Sequence, residues 1–220
     1  MPAIEAKELY RFYHTGADET AALRGVSLAV DAGESVALMG PSVSGKSTLL
    51  ACLAGLDEPD GGHVAVLGRK LSRQSEAARA AIRARTIGIL LQSANLLAHL
   101  TVEANVRLPL LLAGTYQRAA VDGLLDEVGL SGHHRAYPSQ LSGGESARAG
   151  LAVALAANPA ILIADEPTAE VDGDTETMLL DHLVARCKAG MALLIATHSP
   201  AVAGRASRVL HIKDGRLTHA

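Results

Sequence analysis

Two adjacent carboxylates follow a run of apolar residues in the segment ILIADEP at 161–167. Four apolar residues in a row are typical of a buried strand, which places Asp165 and Glu166 at its carboxyl end. There Asp165 can hold Mg²⁺, directly or through water, and Glu166 can orient or deprotonate an attacking water. Taken alone, the pair is as compatible with the acidic start of a loop as with a catalytic site.

A glycine-rich loop, GPSVSGKST at 40–48, is the second candidate. It fits the pattern G-x-x-x-x-G-K-[ST] with Gly40, Gly45, Lys46 and Ser47. Successive backbone N–H groups and a helix N-terminus bind anions, so the loop is predicted to hold phosphates. Lys46 is predicted to reach the β- and γ-phosphates, and the Ser47 hydroxyl to ligate Mg²⁺. A chance glycine-rich turn would not explain Lys-Ser-Thr after the last glycine.

Two glycines stand near the start of a third segment, LSGGESARAGLAVALAANP, which begins at Leu141. Ser142 and Glu145 fit S-x-x-E, a capping box, which predicts the start of a helix. Gly143 and Gly144 weaken the first turn of a helix unless something must approach the backbone closely. An anion bound at the N-terminus of this helix would need that close approach to the backbone.

The elements that position these residues alternate between strands and helices. Strands are predicted on both sides of the turn TGAD at 15–18, and another leads into the glycine-rich loop. Further elements are predicted as a helix from about Lys46 to Ala54, a strand at 86–92, a helix from 142, a strand at 160–164, a helix at about 174–189, a strand at 191–197 and a hairpin about 213–215. This order predicts an α/β fold with a mostly parallel sheet and an N-terminal antiparallel β-subdomain.

Residues 93–140 lack strand patterns and are predicted to form an inserted helical subdomain. Thr101 can cap a helix that Pro109 kinks, and a second amphipathic helix is predicted from about Gln117 to Val128. The predicted organisation is one domain over 1–220. Its phosphate-binding core and β-subdomain comprise 1–92 and 141–220.

Composition narrows the classes of function. The chain has 220 residues, 49% of them apolar, and a net charge of -3, which gives no electrostatic case for wrapping nucleic acid. No export signal is visible at the start, and no stretch approaches the length of a membrane span. Cys52 and Cys187 have no His or Cys at metal-ligand spacing, so buried thiols in a reducing cytoplasm are expected.

The quoted segments, together with His198 in LIATHSP, occur in an order that resembles the ATPase subunits of ABC transporters over essentially the whole chain. The sequence looks most like the branch that contains lipoprotein-releasing, macrolide-efflux and cell-division ATPases. The resemblance implies a P-loop NTPase core and an ATPase that uses ATP and Mg²⁺. It also implies two partners, which are a second copy or a paralogous ATPase subunit and a separate integral-membrane permease. The implied location is cytoplasmic, on the inner face of the membrane through the permease, with no nucleic acid bound and no direct membrane insertion.

The resemblance also implies roles for single residues. The implied ATP-binding residues are Tyr13, Gly40, Ser42, Val43, Ser44, Gly45, Lys46, Ser47, Thr48, Gln92, Ser142, Gly143, Gly144 and Asp172. The implied catalytic residues are Glu166, His198 and Lys46, and the implied Mg²⁺ ligands are Ser47, Gln92 and Asp165. Residues 142–144 would contact the γ-phosphate held by the other copy, and Asp172 would lie in the loop that links the two sites.

Some of these residues have a structural alternative. Tyr13 would stack on adenine, with Tyr10 as the weaker candidate, but a strand tyrosine can also simply pack on its sheet. Gln92 would sense the γ-phosphate and Mg²⁺, whereas by itself it is an ordinary polar strand end. His198 would hydrogen-bond the γ-phosphate, whereas the alternative is a capped loop before Pro200.

The sequence departs from the family pattern at three points. Val43 replaces the usual glycine, the glutamine that commonly follows the paired glycines is absent, and Val171 stands where leucine is usual. A β-branched residue forced to positive φ costs about 1–3 kcal/mol, enough to weaken ATP binding by about five- to a hundred-fold. We expect an active but slow ATPase; the alternative is a degenerate site supported by a better-endowed partner in a heterodimer.

Two other functions share these motifs. One is a regulatory ATPase that transmits force through a membrane partner to a cell-envelope enzyme and moves no solute. The other is a soluble ABC protein of DNA repair or translation, which the acidic net charge and the lack of long coiled-coil inserts disfavour.

Overall fold

The computed structural model describes residues 1–16, 18–93, 95–169 and 171–218. In chain order the strands are β1 (Ile4–Thr15), β2 (Asp18–Val30), β3 (Ser35–Met39), β4 (Gly61–Val66), β5 (Arg69–Lys70), β6 (Ile87–Leu90), β7 (Ile161–Asp165), β8 (Ala192–Ala196), β9 (Arg208–Lys213) and β10 (Arg216–Thr218). The helices are α1 (Lys46–Leu53), α2 (Glu76–Thr86), α3 (Val102–Ala113), α4 (Arg118–Glu127), α5 (Gly143–Leu155), α6 (Gly173–Lys188) and α7 (Pro200–Ala203). A short 3-10 turn covers Pro138–Gln140.

The strands form two sheets. The first is antiparallel, in the order β2-β1-β4-β5, and contains the long hairpin of β1 and β2 that the sequence predicted. The second has the order β10-β9-β3-β8-β7-β6, with β10 antiparallel at its edge and the other five strands parallel. The predicted fold class, an α/β P-loop core with an antiparallel subdomain and inserted helices, is confirmed.

The parallel strands bring the predicted chemical groups to one edge of the second sheet. The carboxyl ends of β3, β6, β7 and β8 lie side by side because these strands pair in register. Ligands in open α/β sheets bind outside these strand ends. The glycine-rich loop follows β3, Gln92 follows β6, Glu166 follows β7 and His198 follows β8.

Two hydrophobic cores lie on opposite faces of the second sheet. The first core packs the antiparallel sheet and α1 against one face, with Leu9, Leu38 and Leu49 fully buried. The second core packs α3, α4, α5 and α6 against the other face, around Leu125 and Leu151. The alternation of side chains along β7 and β8 supplies residues to both cores. Cys52 lies in the first core and Cys187 in the second, as buried free thiols.

The segment between β6 and α5 is helical, as the sequence predicted. The Thr101 hydroxyl accepts a hydrogen bond of 3.3 Å from the Ala104 backbone N–H and caps α3. Pro109 lies inside α3, and the helix ends at Gly114 with a φ of 74°. The proposed division of the chain into a core and a helical subdomain at 93–140 stays a prediction. Within the described residues, each helix is too short or too polar to cross a membrane.

Candidate active site

The glycine-rich loop connects the end of β3 to the start of α1. Gly45 is the N-cap residue of α1 and has a φ of 104°. A Cβ on Gly45 would lie 2.5 Å from the Ala22 carbonyl oxygen, and one on Gly40 would overlap the carbonyl oxygen of Ile212. Neither position has room for a side chain. The two glycines of the motif are therefore needed to fit the loop between β2 and β9.

Lys46 is the first residue of α1 and bends back over the loop. Its Nζ donates hydrogen bonds to the carbonyl oxygens of Gly40 at 2.7 Å and Pro41 at 3.0 Å. The loop residues from Ser42 to Gly45 and the first residues of α1 line the same cleft, and a glycine-rich loop at a helix N-terminus favours an anion. This arrangement fits a phosphate group that Lys46 can reach.

A hydroxyl and a carboxylate meet beside the loop. Ser47 Oγ donates a hydrogen bond of 2.9 Å to Asp165 Oδ2, so the structure brings together the two residues predicted to hold Mg²⁺. Both are the oxygen donors that Mg²⁺ prefers. Among the described residues no group of three His, Cys, Asp or Glu side chains is assembled. A cation here would therefore need phosphate oxygens or water as further ligands, as Mg²⁺ commonly does.

Glu166 and His198 form a contact at the ends of β7 and β8. His198 Nδ1 lies 2.9 Å from Glu166 Oε1. The Glu166 side chain is 16% exposed and that of His198 is 74% exposed. Glu166 has a φ of 46°, and its backbone N–H donates to the Ala196 carbonyl oxygen at 2.9 Å. Strained backbone of this kind concentrates at functional sites, and here it fixes where the carboxylate leaves the strand.

These groups line one open cleft of about 840 Å³. The predicted residues that line it are Tyr13, Ser42, Val43, Ser44, Gly45, Lys46, Ser47, Thr48, Gln92, Asp165, Glu166 and His198. Gly40 lies behind the loop against Ile212. The cleft has the volume and polar lining of a site for a nucleotide-sized ligand.

Tyr13 stands at the edge of this cleft and is 39% exposed. Its hydroxyl donates a hydrogen bond of 2.8 Å to Asp57 Oδ2. Burial and this carboxylate raise the pKa of Tyr13, so the phenol stays protonated. Tyr10 instead stacks on Phe12 and does not line the cleft. The geometry favours Tyr13 over Tyr10 as the aromatic residue of the site.

Val43 lies at the tip of the loop. It has a φ of 65° and is 100% exposed. Of the two conformations that the sequence left open for Val43, the structure therefore has the left-handed one, which is uncommon for a β-branched side chain.

Besides Gly40, four predicted residues lie outside the cleft, namely Ser142, Gly143, Gly144 and Asp172. Gly143 instead lines a smaller pocket that Gln92 also borders. A single chain therefore does not bring the start of α5 to the glycine-rich loop.

The start of α5 has its own local structure. Ser142 Oγ accepts the Glu145 N–H at 3.3 Å, and Glu145 Oε2 accepts the Ser142 N–H at 2.8 Å, which confirms the predicted capping box. The backbone N–H and the hydroxyl of Ser142 both donate to the Glu145 carboxylate and lower its pKa. Asp172 caps α6 through Thr175, whose backbone N–H donates to Oδ1 at 2.9 Å. A Cβ on Gly144 would lie 2.9 Å from Thr175 Oγ1, so close packing of α5 on α6 requires this glycine.

Comparison with known proteins decides which family this site belongs to. The sequence profile of the ABC transporter family matches residues 23–169. The chain belongs to the ABC transporter family. The lipoprotein-releasing system ATP-binding protein LolD 2 of Caulobacter vibrioides is 42% identical over 220 residues, covering 98% of this chain and 96% of that protein. The macrolide export ATP-binding/permease protein MacB of Hyphomonas neptunium is 39% identical over 98% of this chain, which spans 34% of MacB.

Solved ABC cassettes share this fold closely. The dimeric structure of the ABC transporter cassette MJ0796 matches with a TM-score of 0.92 and 33% identity, over 98% of this chain and 97% of that one. A post-hydrolysis state of the same cassette, bound to ADP and Pi, matches equally well. The predicted family, its ATPase activity and its cofactors ATP and Mg²⁺ are confirmed.

The cleft of this ABC ATPase also contains residues that the sequence does not indicate. Thr20, Ala21, Ala22 and Arg24 come from β2, and Asp214 and Gly215 come from the turn between β9 and β10. They carry no motif. Only the pairing of the strands places them beside the loop: the Arg24 backbone N–H donates to the Gly215 carbonyl oxygen at 2.8 Å.

Proposed function

We propose that this ABC ATPase subunit closes as a dimer on two ATP molecules and drives a separate permease of the lipoprotein-release or efflux type. One observation carries the proposal. Lys46, Ser47, Asp165, Glu166 and His198 share one cleft, whereas the start of α5 lies outside it. A second chain, identical or paralogous, would supply Ser142, Gly143 and Gly144 to the open side of each cleft. The close match to a dimeric cassette supports this arrangement.

The residues at the sheet edge have separate tasks in this proposal. The N–H groups of the glycine-rich loop cradle the phosphates, and Lys46 moves from the loop carbonyls to the β- and γ-phosphates. Ser47, Asp165 and Gln92 would hold Mg²⁺, which neutralises charge on the phosphates. Glu166 orients or deprotonates the attacking water, and this carboxylate is held by its contact with His198.

The permease would dock beside Gln92. A groove of about 340 Å³ lies between α2, β6 and α3, lined by apolar side chains that include Ile89, Leu97, Leu108 and Leu112. Leu97 and Leu112 are exposed, and exposed apolar patches of this kind mark interaction sites. Docking there would place the protein at the inner, cytoplasmic face of the membrane through its partner. Two relatives bear names that include a lipoprotein-releasing system and a permease.

Mixed dimers test the shared site. Ser142→Arg should block the α5 end and Lys46→Ala should empty the phosphate loop, so each homodimer should lack activity. Mixing the two variants creates dimers in which one site carries both lesions and the other carries none, and ATPase activity should return. Ser142→Thr, which keeps the cap, is the matched control. Full activity of the Ser142→Arg homodimer would show that this helix end serves only as a capped helix.

Copurification tests the membrane partner. The protein isolated from its native host should bring with it an integral-membrane protein, and Leu112→Asp should weaken that association while ATP binding is unchanged. Solute or lipoprotein movement in reconstituted vesicles then separates a transporter from a regulatory ATPase.

A further inference from the structure

A short acidic turn, four residues beyond the end of α1, contacts the strand that carries Tyr13. This acidic turn comprises residues 57–60, with the sequence DEPD. The Asp57 N–H donates to the Ala51 carbonyl oxygen in the last turns of α1 at 3.2 Å. The Asp60 N–H donates to the Tyr10 carbonyl oxygen on β1 at 2.9 Å. The turn therefore links the helix that begins at the phosphate loop to the strand that carries the aromatic ring.

Asp57 is the centre of this link. Its Oδ1 accepts Arg11 Nη2 at 2.9 Å, and its Oδ2 accepts Arg11 Nε at 2.9 Å and Tyr13 Oη at 2.8 Å. Asp60 adds a second attachment, because its Oδ2 accepts the Phe12 N–H at 2.8 Å and Arg11 Nη1 at 3.1 Å. A two-point arginine–carboxylate pair fixes orientation as well as distance.

The same contacts hold the Asp57 carboxylate in its charged form. Burial raises the pKa of Asp57, but the hydrogen bonds from Arg11 and Tyr13 exceed that effect and hold the pKa below its usual value. The carboxylate is therefore available as an acceptor for the Tyr13 hydroxyl at neutral pH.

Arg11 also lies over one face of the Tyr13 ring. Its guanidinium carbon is 4.7 Å from the ring centroid, within the range of a cation–π contact. Arg11 does not line the cleft, whereas Tyr13 and Thr48 do. A planar base that enters the cleft can therefore stack only on the ring face that Arg11 leaves open.

We propose that Asp57, acting through Arg11 and the Tyr13 hydroxyl, is a positioning residue that holds the Tyr13 ring ready to stack on the base of the bound nucleotide. This inference rests on the proposed function, because it assumes that ATP occupies the cleft. Fixing the ring before binding removes an ordering cost that the ligand would otherwise have to offset. Removal of Asp57 should therefore weaken the binding of the base and leave the binding of the phosphates unchanged.

Two probes separate the base from the phosphates. Calorimetry with Mg²⁺ compares ATP with inorganic tripolyphosphate, which has no base. Asp57→Ala should weaken ATP binding about three- to tenfold, a part of the loss expected when a base–aromatic stack is removed, and leave tripolyphosphate binding unchanged. In ATPase assays KM should rise and kcat should stay the same.

Further variants show whether Asp57 acts through the ring. Tyr13→Ala should weaken ATP binding at least as much, and adding Asp57→Ala to it should cause no further loss, because both changes remove one interaction. Asp57→Asn keeps an acceptor for the tyrosine hydroxyl and should restore part of the affinity. Asp126→Ala, an acidic residue exposed on α4, should change neither probe, and thermal melts check that each variant is folded.

The outcomes distinguish this inference from the proposed function. Loss of ATP affinity in Tyr13→Ala, with no loss in either Asp57 variant, would overturn the inference and leave the proposed site intact. An equal loss for ATP and tripolyphosphate in Asp57→Ala would also overturn it, since the acidic turn would then act on the phosphate loop. A wild-type protein that binds neither probe would overturn the proposed function itself.

Discussion

Val43 combines a β-branched side chain with a left-handed backbone at a φ of 65°. Conformations of this kind cost about 1–3 kcal/mol in residues other than glycine. Val43→Gly should relieve that strain in the conformation that cradles phosphate and strengthen Mg²⁺-ATP binding several-fold. Titration with a fluorescent ATP analogue measures the change, which should appear in affinity more than in kcat, since the side chain carries no catalytic group.

Val43→Ala is the matched control for this strain. It keeps a Cβ but removes the branch, so its affinity should fall between those of the valine and glycine proteins. Equal or weaker binding by the glycine variant would mean that the valine is no handicap to the loop.

Glu166 is the residue whose loss should separate binding from turnover. Glu166→Gln keeps an oxygen that can accept from His198, so the phosphate loop and the strand ends should stay in place. Removal of a general base lowers a rate by about 10²–10⁴-fold, and kcat should fall within that range while ATP binding persists. Size-exclusion chromatography should then show a trapped dimer with ATP, and near-native turnover would remove Glu166 from its proposed role.

At the scale of elements, the packing of α5 on α6 depends on Gly144. A Cβ there would lie 2.9 Å from Thr175 Oγ1, so Gly144→Ala should destabilise the fold by about 1–3 kcal/mol through overpacking. Gly123, inside α4, has nothing within 4 Å of an added Cβ. Gly123→Ala should therefore stabilise the protein by up to about 1 kcal/mol through helix propensity.

Urea unfolding of the two alanine variants provides the comparison. The free energy of unfolding should fall in Gly144→Ala and rise in Gly123→Ala. Equal stability of Gly144→Ala and the wild type would show that Thr175 moves aside at little cost, and would make approach by a second chain the better reason for this glycine.

The elements that the sequence predicted well are those whose signals are local. The cap at Thr101, the capping box at Ser142 and the loop before Lys46 each depend on residues within one turn, and each was confirmed. Strand β5 and helix α7 have two and four residues, too few for any period to show. They could not be predicted for that reason.

Sequence patterns do not predict the parts of the site that depend on contacts between residues far apart along the chain. For Gly144 the sequence suggests an anion on the helix end, and no local pattern indicates its contact with Thr175, because the two residues are far apart along the chain. Arg24 and Asp214 join the cleft only through the pairing of strands. The link from Asp57 to Tyr13 likewise spans 44 residues.

At the scale of the whole molecule, a separate hydrophobic core covers each face of the second sheet. Nucleotide should bind at the start of α1, which belongs to the first core, whereas α3, α4, α5 and α6 belong to the second core. A ligand stabilises the state that it binds. ATP should therefore protect the first core against opening more than the second.

Each core contains one cysteine, and burial suppresses the chemistry of both. It raises the pKa of Cys52 to about 12 and that of Cys187 to about 11. Cys52 is 1% exposed and Cys187 is 5% exposed. Because only the thiolate reacts, Cys187 should be alkylated first in the native protein at pH 8, and Mg²⁺-ATP should slow the modification of Cys52 more than that of Cys187. Mass spectrometry of timed samples measures both rates, and a Cys52 rate that ignores ATP would contradict this expectation.

The two thiols are thus intrinsic probes of local opening, one on each side of the sheet. Their rates of modification would report how often the first core and the second core open in the same molecule, and no introduced label is needed. Equal rates under all conditions would mean that the protein opens as a single unit. If ATP slows the modification of Cys52 but not that of Cys187, nucleotide binding stabilises the first core without stabilising the second.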